Sequence, residues 1–486
     1  MSILSFFIII PLVMLLALFV CRNITHIRTI MVVGSSAILA LAIALVVLFI
    51  GERAVSQDAM LFTSDIVWYA ALNIHYSVGV DGISVLMILL SAVIMFTGVF
   101  SSWNMAREYF MWYCLLCIGV FGFFISVDLF TLFLFYEVAL IPMYLLIGVW
   151  GSGRKEYSAM KLTLMLMAGS ALLLTGILGI YFTSGATSMN ILEIVKQQIP
   201  MLHQYWIFPL TFIGFGVLGA LFPFHTWSPD GHASAPTAVS MLHAGVLMKL
   251  GGYGCFRVAI FLMPEAAHEL SWIFLILTGI SVVYGAYNAV LQTDLKYINA
   301  YSSVSHCGLV LFAVLMLNET AMTGAVLQML SHGLMTALFF ALIGLIYGRT
   351  HTRDIREMGG LMKIMPFASV CYVIAGLASL GLPGLSGFVA EMTIFVGSFA
   401  HADLFHRIIT IVATTSIVIT AVYILRTIGK ILYGPIINKE HLGLSDARWY
   451  EKISAMGLIA CIVALGVYPS GAVELIRQTL TSFNLI

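Results

Sequence analysis

Apolar runs of bilayer-crossing length dominate this chain. A spanning helix needs about 20 mostly apolar residues. Reading between charge clusters gives about fourteen such runs: 3–21, 29–50, 81–103, 109–127, 128–150, 160–182, 205–223, 236–260, 271–291, 298–316, 321–347, 365–400, 407–433 and 453–476. Hydrophobic residues make up 61% of the 486 and charged residues only 9%. An ordinary soluble domain carries roughly 25% charged residues, so there is too little charge to coat a water-soluble surface. The fold class expected is an all-α polytopic membrane protein. With 22 basic and 22 acidic residues there is no basic footprint for nucleic acid. Seven cysteines scattered through apolar runs do not suggest a disulfide framework. The first run lacks a basic n-region and a small-residue cleavage site, so it is expected to be a retained span. Gly51 to Val80, the longest polar stretch, is expected to be only a loop.

Lysine and arginine set the orientation, because cytoplasmic loops carry the excess. Sixteen of the 22 fall in odd-numbered loops, including Lys296 and the cluster Arg349, Arg353, Arg356 and Lys363. Five fall in even loops or the tail: Arg53, Lys196, Arg257, Arg407 and Arg477. Only Lys249 is placed inside a span. The bias puts odd loops in the cytoplasm and both termini outside. Two spans read as broken. The twelfth contains Gly381-Leu-Pro-Gly384 and Ser386-Gly387, and the seventh runs into Pro223, Pro229 and Pro236. Non-helical backbone at membrane depth survives only where protein or a water-filled cavity solvates it. Paired breaks about five spans apart suggest two inverted repeats, a transporter design.

Charge inside a span is costly, about 2.5–3.5 kcal/mol at the helix centre, and is rarely kept for packing alone. Glu137 lies ten residues into the fifth run, about 15 Å from its end at 1.5 Å per residue. Lys249 lies mid-way along the eighth, and Glu391 follows the break in the twelfth. His332 sits in the eleventh and His306 in the tenth, while His225, His232 and His243 cluster around the seventh and eighth. Lysine, carboxylate and histidine at one depth form a set able to hand protons across the bilayer centre. Other patterns carry less. Gly214, Gly216 and Gly219 spell GxGxxG, but no strand precedes them, and a dinucleotide site requires strand, turn and helix. Cys114 and Cys117 form a CxxC inside an apolar run, with no second pair.

FYEVALIPMYLLIGVWG, PFHTWSPDGH, SAPTA, TDLKYINAYSSVSHCG, HTRDIREMGG and GLPGLSGFVAE resemble segments of the antiporter-like membrane subunits of respiratory complex I. The resemblance is strong over residues 75–435. FYEVALIP and HTRD favour the subunit-M type over the L and N types. It implies fourteen helices, two inverted five-helix repeats and broken seventh and twelfth helices. The implied division is 1–108 for helices 1–3 and an outer loop, 109–263 for the first repeat, 264–435 for the second, and 436–486 for a C-terminal loop and helix 14. It implies a proton relay of Glu137, Lys249, His306, His332 and Glu391, with His225 and His243 as further candidates. It also implies a non-redox subunit of a translocase in a bacterial inner membrane, with no cofactor on this chain. Flavin, iron–sulfur clusters and quinone would belong to partner subunits, and the direct partners would be L-type and N-type subunits and lipid. One departure stands out: family members carry a lysine on the seventh helix where this chain has Leu218, which leaves Glu137 without its usual partner.

The charge bias makes a direct prediction. A single cysteine introduced by Arg356→Cys is expected to react with impermeant maleimide only from the cytoplasmic side. Labelling from the outer side of intact cells would overturn the orientation.

Overall fold

The computed structural model describes residues 2–56, 58–70 and 73–483. Among these, eleven helices are long and apolar enough to cross a membrane. They are α1 (Phe6–Val20, with a 3-10 lead-in Ile3–Ser5), α2 (Ile24–Arg53), α3 (Gly82–Ser101), α4 (Arg107–Ile125), α5 (Leu129–Trp150), α6 (Lys155–Ser184), α8 (Met201–Leu218), α12 (Pro264–Leu291), α14 (Glu319–Thr350), α18 (Leu404–Leu432) and α19 (Trp449–Val467). A short α7 (Ile191–Gln197) lies in a loop. The other runs read from the sequence are helical too, but in pieces or with more polar character. The run 237–260 comprises α10 (Thr237–Leu242), α11 (Met248–Gly254) and π-type turns at His243–Leu247 and Cys255–Ile260. α13 is Leu295–Val314, a one-turn α15 (Leu361–Ile364) precedes the twelfth run, and that run is split into α16 (Pro366–Ser379) and α17 (Ser386–Phe399). α3 and α14 are buried along nearly their whole length, whereas α1, α2 and α19 turn most of their surface outward.

Both expected breaks are present. α8 stops at Leu218, a short α9 (Trp227–Ser234) follows, and α10 begins only at Thr237. Six residues separate α16 from α17. Side-chain caps start several helices by accepting the otherwise orphan amides of the first turn. Asp128 accepts from Phe130 and Thr131 at the head of α5, Asp294 from Lys296 and Tyr297 at α13, and Asn318 from Ala321 at α14.

Three expectations need correction. The stretch 51–80 is not only a loop. It holds an antiparallel hairpin, β1 (Leu61–Tyr69) with β2 (Ile74–Val80), Leu61 opposite Val80 and Ile66 opposite Tyr76. β2 is pinned by the Val127 amide donating to the Ser77 carbonyl at 2.9 Å. The last run ends at Val467, and a separate α20 (Ser470–Ser482) buries Leu475, Ile476 and Leu480 against the bundle. Finally, Lys249 is not the only buried cation. Lys296 belongs to α13 and is 4% exposed, and Arg257 is 1% exposed.

Arg257 pairs with Asp81, the capping residue of α3, which is wholly buried. Tyr253 and Phe483 lie over the guanidinium at 5.2 and 5.1 Å. This pair ties the end of the run 237–260 to the start of α3. Removing one partner of a buried ion pair costs about 3–5 kcal/mol, because the other charge is left unpaired. Asp81→Ala is therefore expected to reduce the thermal stability and yield of the assembled subunit far more than an exposed change such as Glu474→Ala. Thermal unfolding of purified membranes checks this, and equal stability of the two variants would sink it.

Candidate functional site

The site begins where two helices touch backbone to backbone. A Cβ on Gly333 of α14 would lie 2.7 Å from the Gly245 carbonyl, and one on Gly245 would lie 3.2 Å from the Gly333 carbonyl. Only glycine permits such an approach. Gly245 sits inside the π-type turn His243–Leu247, and such turns concentrate at functional positions. The turn places the Ala244 carbonyl where the Lys249 ammonium donates to it. The close approach brings His332 to the other side of the same nitrogen: Lys249 Nζ and His332 Nδ1 are 2.7 Å apart.

From Lys249 the file continues across α14, α13 and α17. The His332 and His306 rings stack with centroids 5.2 Å apart. His306 Nδ1 lies 3.0 Å from the Gln328 amide and 3.5 Å from Glu391 Oε1. Glu391 stands one turn into α17, beneath the turn that separates α16 from α17. That turn needs Gly381, which has φ +65° and whose Cβ would sit 2.8 Å from the Glu391 carboxylate. Lys249, His332, His306 and Glu391 are each at most 7% exposed. The Nε2 atoms of His332 and His306 are buried and have no hydrogen-bond partner among the described residues.

Four of the seven sequence-predicted residues thus form one contiguous file, and three do not join it. Glu137 is half-buried on α5, beside Ser170 of α6, and its Oε1 has no partner among the described residues. Leu218, where the resembling family carries lysine, is a buried apolar residue at the end of α8. His225 packs against Phe222 and Tyr284 at centroid distances of 5.7 and 4.9 Å. His243 stacks between Trp227 (5.3 Å) and His232 (4.1 Å), with neither ring nitrogen hydrogen-bonded among the described residues. Sequence reasoning placed His232 in the cluster without a role. It also missed Lys296, whose amine donates to the Ala235 carbonyl at 2.6 Å. The cap signal Thr293-Asp294 was the available clue that α13 starts early enough to include it.

Known proteins share the family and the fold of this chain. Residues 126–420 match the family described as NADH:quinone oxidoreductase/Mrp antiporter, TM. The chain is 37% identical over 417 residues to "NAD(P)H-quinone oxidoreductase chain 4 1" of Synechococcus sp. (strain JA-3-3Ab), covering 84% of this chain and 79% of the relative. It is 34% identical over 435 residues to "NADH-quinone oxidoreductase subunit M" of Rhodobacter capsulatus, covering 87% and 84%. A chain of respiratory complex I from Thermus thermophilus shares the fold, with a TM-score of 0.89, 24% identity and 99% of each chain covered. A chain of the Mrp complex from Dietzia sp. DQ12-45-1b does so at 0.87, with 19% identity, 99% of this chain and 97% of that one.

The turn over Glu391 generates a test. In Gly381→Ala the added methyl strains a left-handed backbone, about 1–2 kcal/mol, and crowds the carboxylate. Proton pumping is expected to fall severalfold while the assembled amount stays near wild type. Unchanged pumping would show that the turn does not position Glu391.

Proposed function

The chain belongs to the NADH:quinone oxidoreductase/Mrp antiporter family, and from that premise we propose that it is the subunit-M-type, proton-translocating membrane-arm subunit of a complex I. The observation that carries the reading is the Lys249–His332–His306–Glu391 file, four ionisable side chains in sequence inside an apolar bundle. Redox chemistry is assigned to partner subunits, which hold flavin, iron–sulfur clusters and quinone. L-type and N-type subunits are its neighbours in the membrane. The host is a bacterial inner membrane, with the basic odd loops in the cytoplasm and both termini outside.

The file suggests how a proton moves. Lys249 gives a proton to His332 Nδ1, 2.7 Å away. His332 releases its other proton from Nε2 toward the unpartnered Nε2 of His306. His306 then passes one from Nδ1 to the Glu391 carboxylate, 3.5 Å away. Each histidine gains one proton and loses one. The lysine ends neutral and the carboxylate protonated, so charge crosses the bilayer centre without leaving an ion uncompensated there. An uncompensated ion would cost several kcal/mol.

Two other readings have observations behind them. The family takes in Mrp antiporters, and the Dietzia Mrp fold is shared. A component of a Na⁺/H⁺ antiporter or of a membrane-bound hydrogenase would sit beside antiporter or hydrogenase genes instead of flavin and iron–sulfur subunit genes. A pump-incompetent spacer rests on Leu218 alone.

Single mutants separate these readings. Lys249→Met is expected to abolish most proton pumping in vesicles with normal assembly, and electron transfer should fall with it if the steps are tightly coupled. Glu137→Gln is expected to do less harm, because no cation lies beside Glu137 among the described residues. Full pumping by Lys249→Met would favour the spacer, and equal damage from both would show that Glu137 shares the relay.

A further inference from the structure

We propose that protons reach this site from the basic-loop face along a buried polar file of Lys296, Asn299, Ser303 and Thr336 that ends at His332. The inference rests on the relay reading above and adds the uptake route to it.

The spacing of the residues is the first observation. Positions 296, 299, 303 and 306 of α13 step by three, four and three, so they line one face of the helix. All four are buried: Lys296 and His306 at 4% exposure, Asn299 at 7% and Ser303 at 0%. Ten residues of helix cover about 15 Å, half of a hydrocarbon core of about 30 Å. The file therefore runs from one face of the bundle to the depth of the relay.

Hydrogen bonds join its middle members. Asn299 Nδ2 donates to Thr336 Oγ1 at 3.3 Å, and the Ser303 and Thr336 hydroxyls lie 3.2 Å apart. Thr336, fully buried, stands one turn from His332 on α14, as Ser303 stands one turn from His306 on α13. Two helices thus deliver hydroxyls to one line that points at the histidine pair.

The mouth is on the right side. Lys296 follows two residues after Asp294, whose carboxylate pairs with Arg353 at 3.1 Å, and both side chains are partly exposed. Arg353 belongs to the basic loop that the charge bias places in the cytoplasm. Arg353 and Lys296 donate to the Ala233 and Ala235 carbonyls, each at 2.6 Å, which fixes the mouth against the end of α9.

The rival route is the His232–His243 pair. It is near, but its contacts do not lead on. His232 Nε2 faces the Met248 sulfur at 3.3 Å, a weak acceptor, and His243 makes no hydrogen bond toward Lys249.

In operation Lys296 takes a proton from water at the mouth. Water admitted between Lys296 and Ser303, held by the Asn299 amide, carries it to the hydroxyls. Each hydroxyl accepts one proton and releases one, through a second water, toward His332, so nothing accumulates on the file. The net transfer is one proton from the cytoplasmic face to His332, which resupplies Lys249. Lys296 accepts the proton, Ser303 and Thr336 pass it on, and Asn299 is a positioning residue.

The test uses the whole complex in proteoliposomes, with assembly checked on native gels. Thr336→Val keeps shape and removes the hydroxyl. It is expected to slow pumping at least fivefold and to raise the solvent deuterium isotope effect, with Thr336→Ser recovering most of the rate. Ser303→Ala, a smaller change, is expected to move both readouts in the same direction, and Lys296→Met to slow pumping at least as much. A wild-type rate and isotope effect in both Thr336→Val and Ser303→Ala, beside a dead Lys249→Met, would overturn the route and leave the relay standing. The same holds if Thr336→Val fails to assemble and Ser303→Ala behaves as wild type. If only His232→Ala or His243→Ala slows uptake, the histidine pair is the route and this one is wrong. Normal pumping by Lys249→Met would overturn the relay and the route together.

Discussion

The ammonium of Lys249 lies in a bundle centre that offers it no bulk water, and the surrounding structure answers that need. A charged group in such a place must find hydrogen bonds from the protein. The π-type turn supplies one acceptor, the Ala244 carbonyl, by breaking the regular backbone pattern. The contact of Gly245 with Gly333 supplies the other by holding α14 close enough for His332 to reach. His332 stacks on His306, and His306 in turn reaches Glu391. The positions of α10–α11, α13, α14 and α17 are therefore tied to the solvation of one nitrogen.

The two helix breaks obey the same rule, applied to backbone instead of side chain. An unpaired peptide group in hydrocarbon costs several kcal/mol, so each break must be solvated by protein. At the first, the indole of Trp227 donates to the Val217 carbonyl at 3.0 Å and the Phe222 amide donates to the Ser281 hydroxyl at 2.7 Å. At the second, the chain satisfies itself: the Gly381 and Leu382 amides donate back to Ala378 and Leu377, both at 3.2 Å. The first break thus depends on a neighbouring helix, α12, while the second depends on a left-handed Gly381. That difference explains why the first reads in the sequence as scattered prolines and the second as a compact Gly-Leu-Pro-Gly.

Much of this was legible because a charge inside an apolar run is a loud signal. Lys249, Glu391, His306 and His332 were found that way, and both breaks by their glycines and prolines. Lys296 and Arg257 were not, although each is more than nine-tenths buried. Both lie within about a turn of a span end, where a boundary error of a few residues decides whether a cation counts as loop or core. Their partners are long-range as well: Asp81 is 176 residues from Arg257, and Ala235 is 61 residues from Lys296. The hairpin 61–80 escaped for another reason. Its outer strand exposes Ile66, Val67, Trp68 and Tyr69 in succession, which hides the alternation that marks a half-buried strand.

Leu218 and Glu137 set the two halves of the chain apart. In the file that crosses α11, α14, α13 and α17, each relay group has an ionisable neighbour: Lys249 meets His332, His332 meets His306, and His306 meets Glu391. Around α5, α6 and α8, Glu137 meets a serine, and Leu218 at the end of α8 packs as a buried apolar residue. Coulomb coupling in a low-dielectric interior is long-ranged, but a proton moves only along a chain of contacts between groups that can hold it. No such chain runs from Glu137 to Lys249 among the described residues, whereas Lys249 is joined to Glu391 at every step. On the proposed reading, the Lys249–Glu391 file is the part of the chain whose contacts suit the moving of charge. The proposed uptake route follows the same asymmetry: the polar residues of α13 and α14 adjoin the file that contains Lys249, not the α5 site of Glu137.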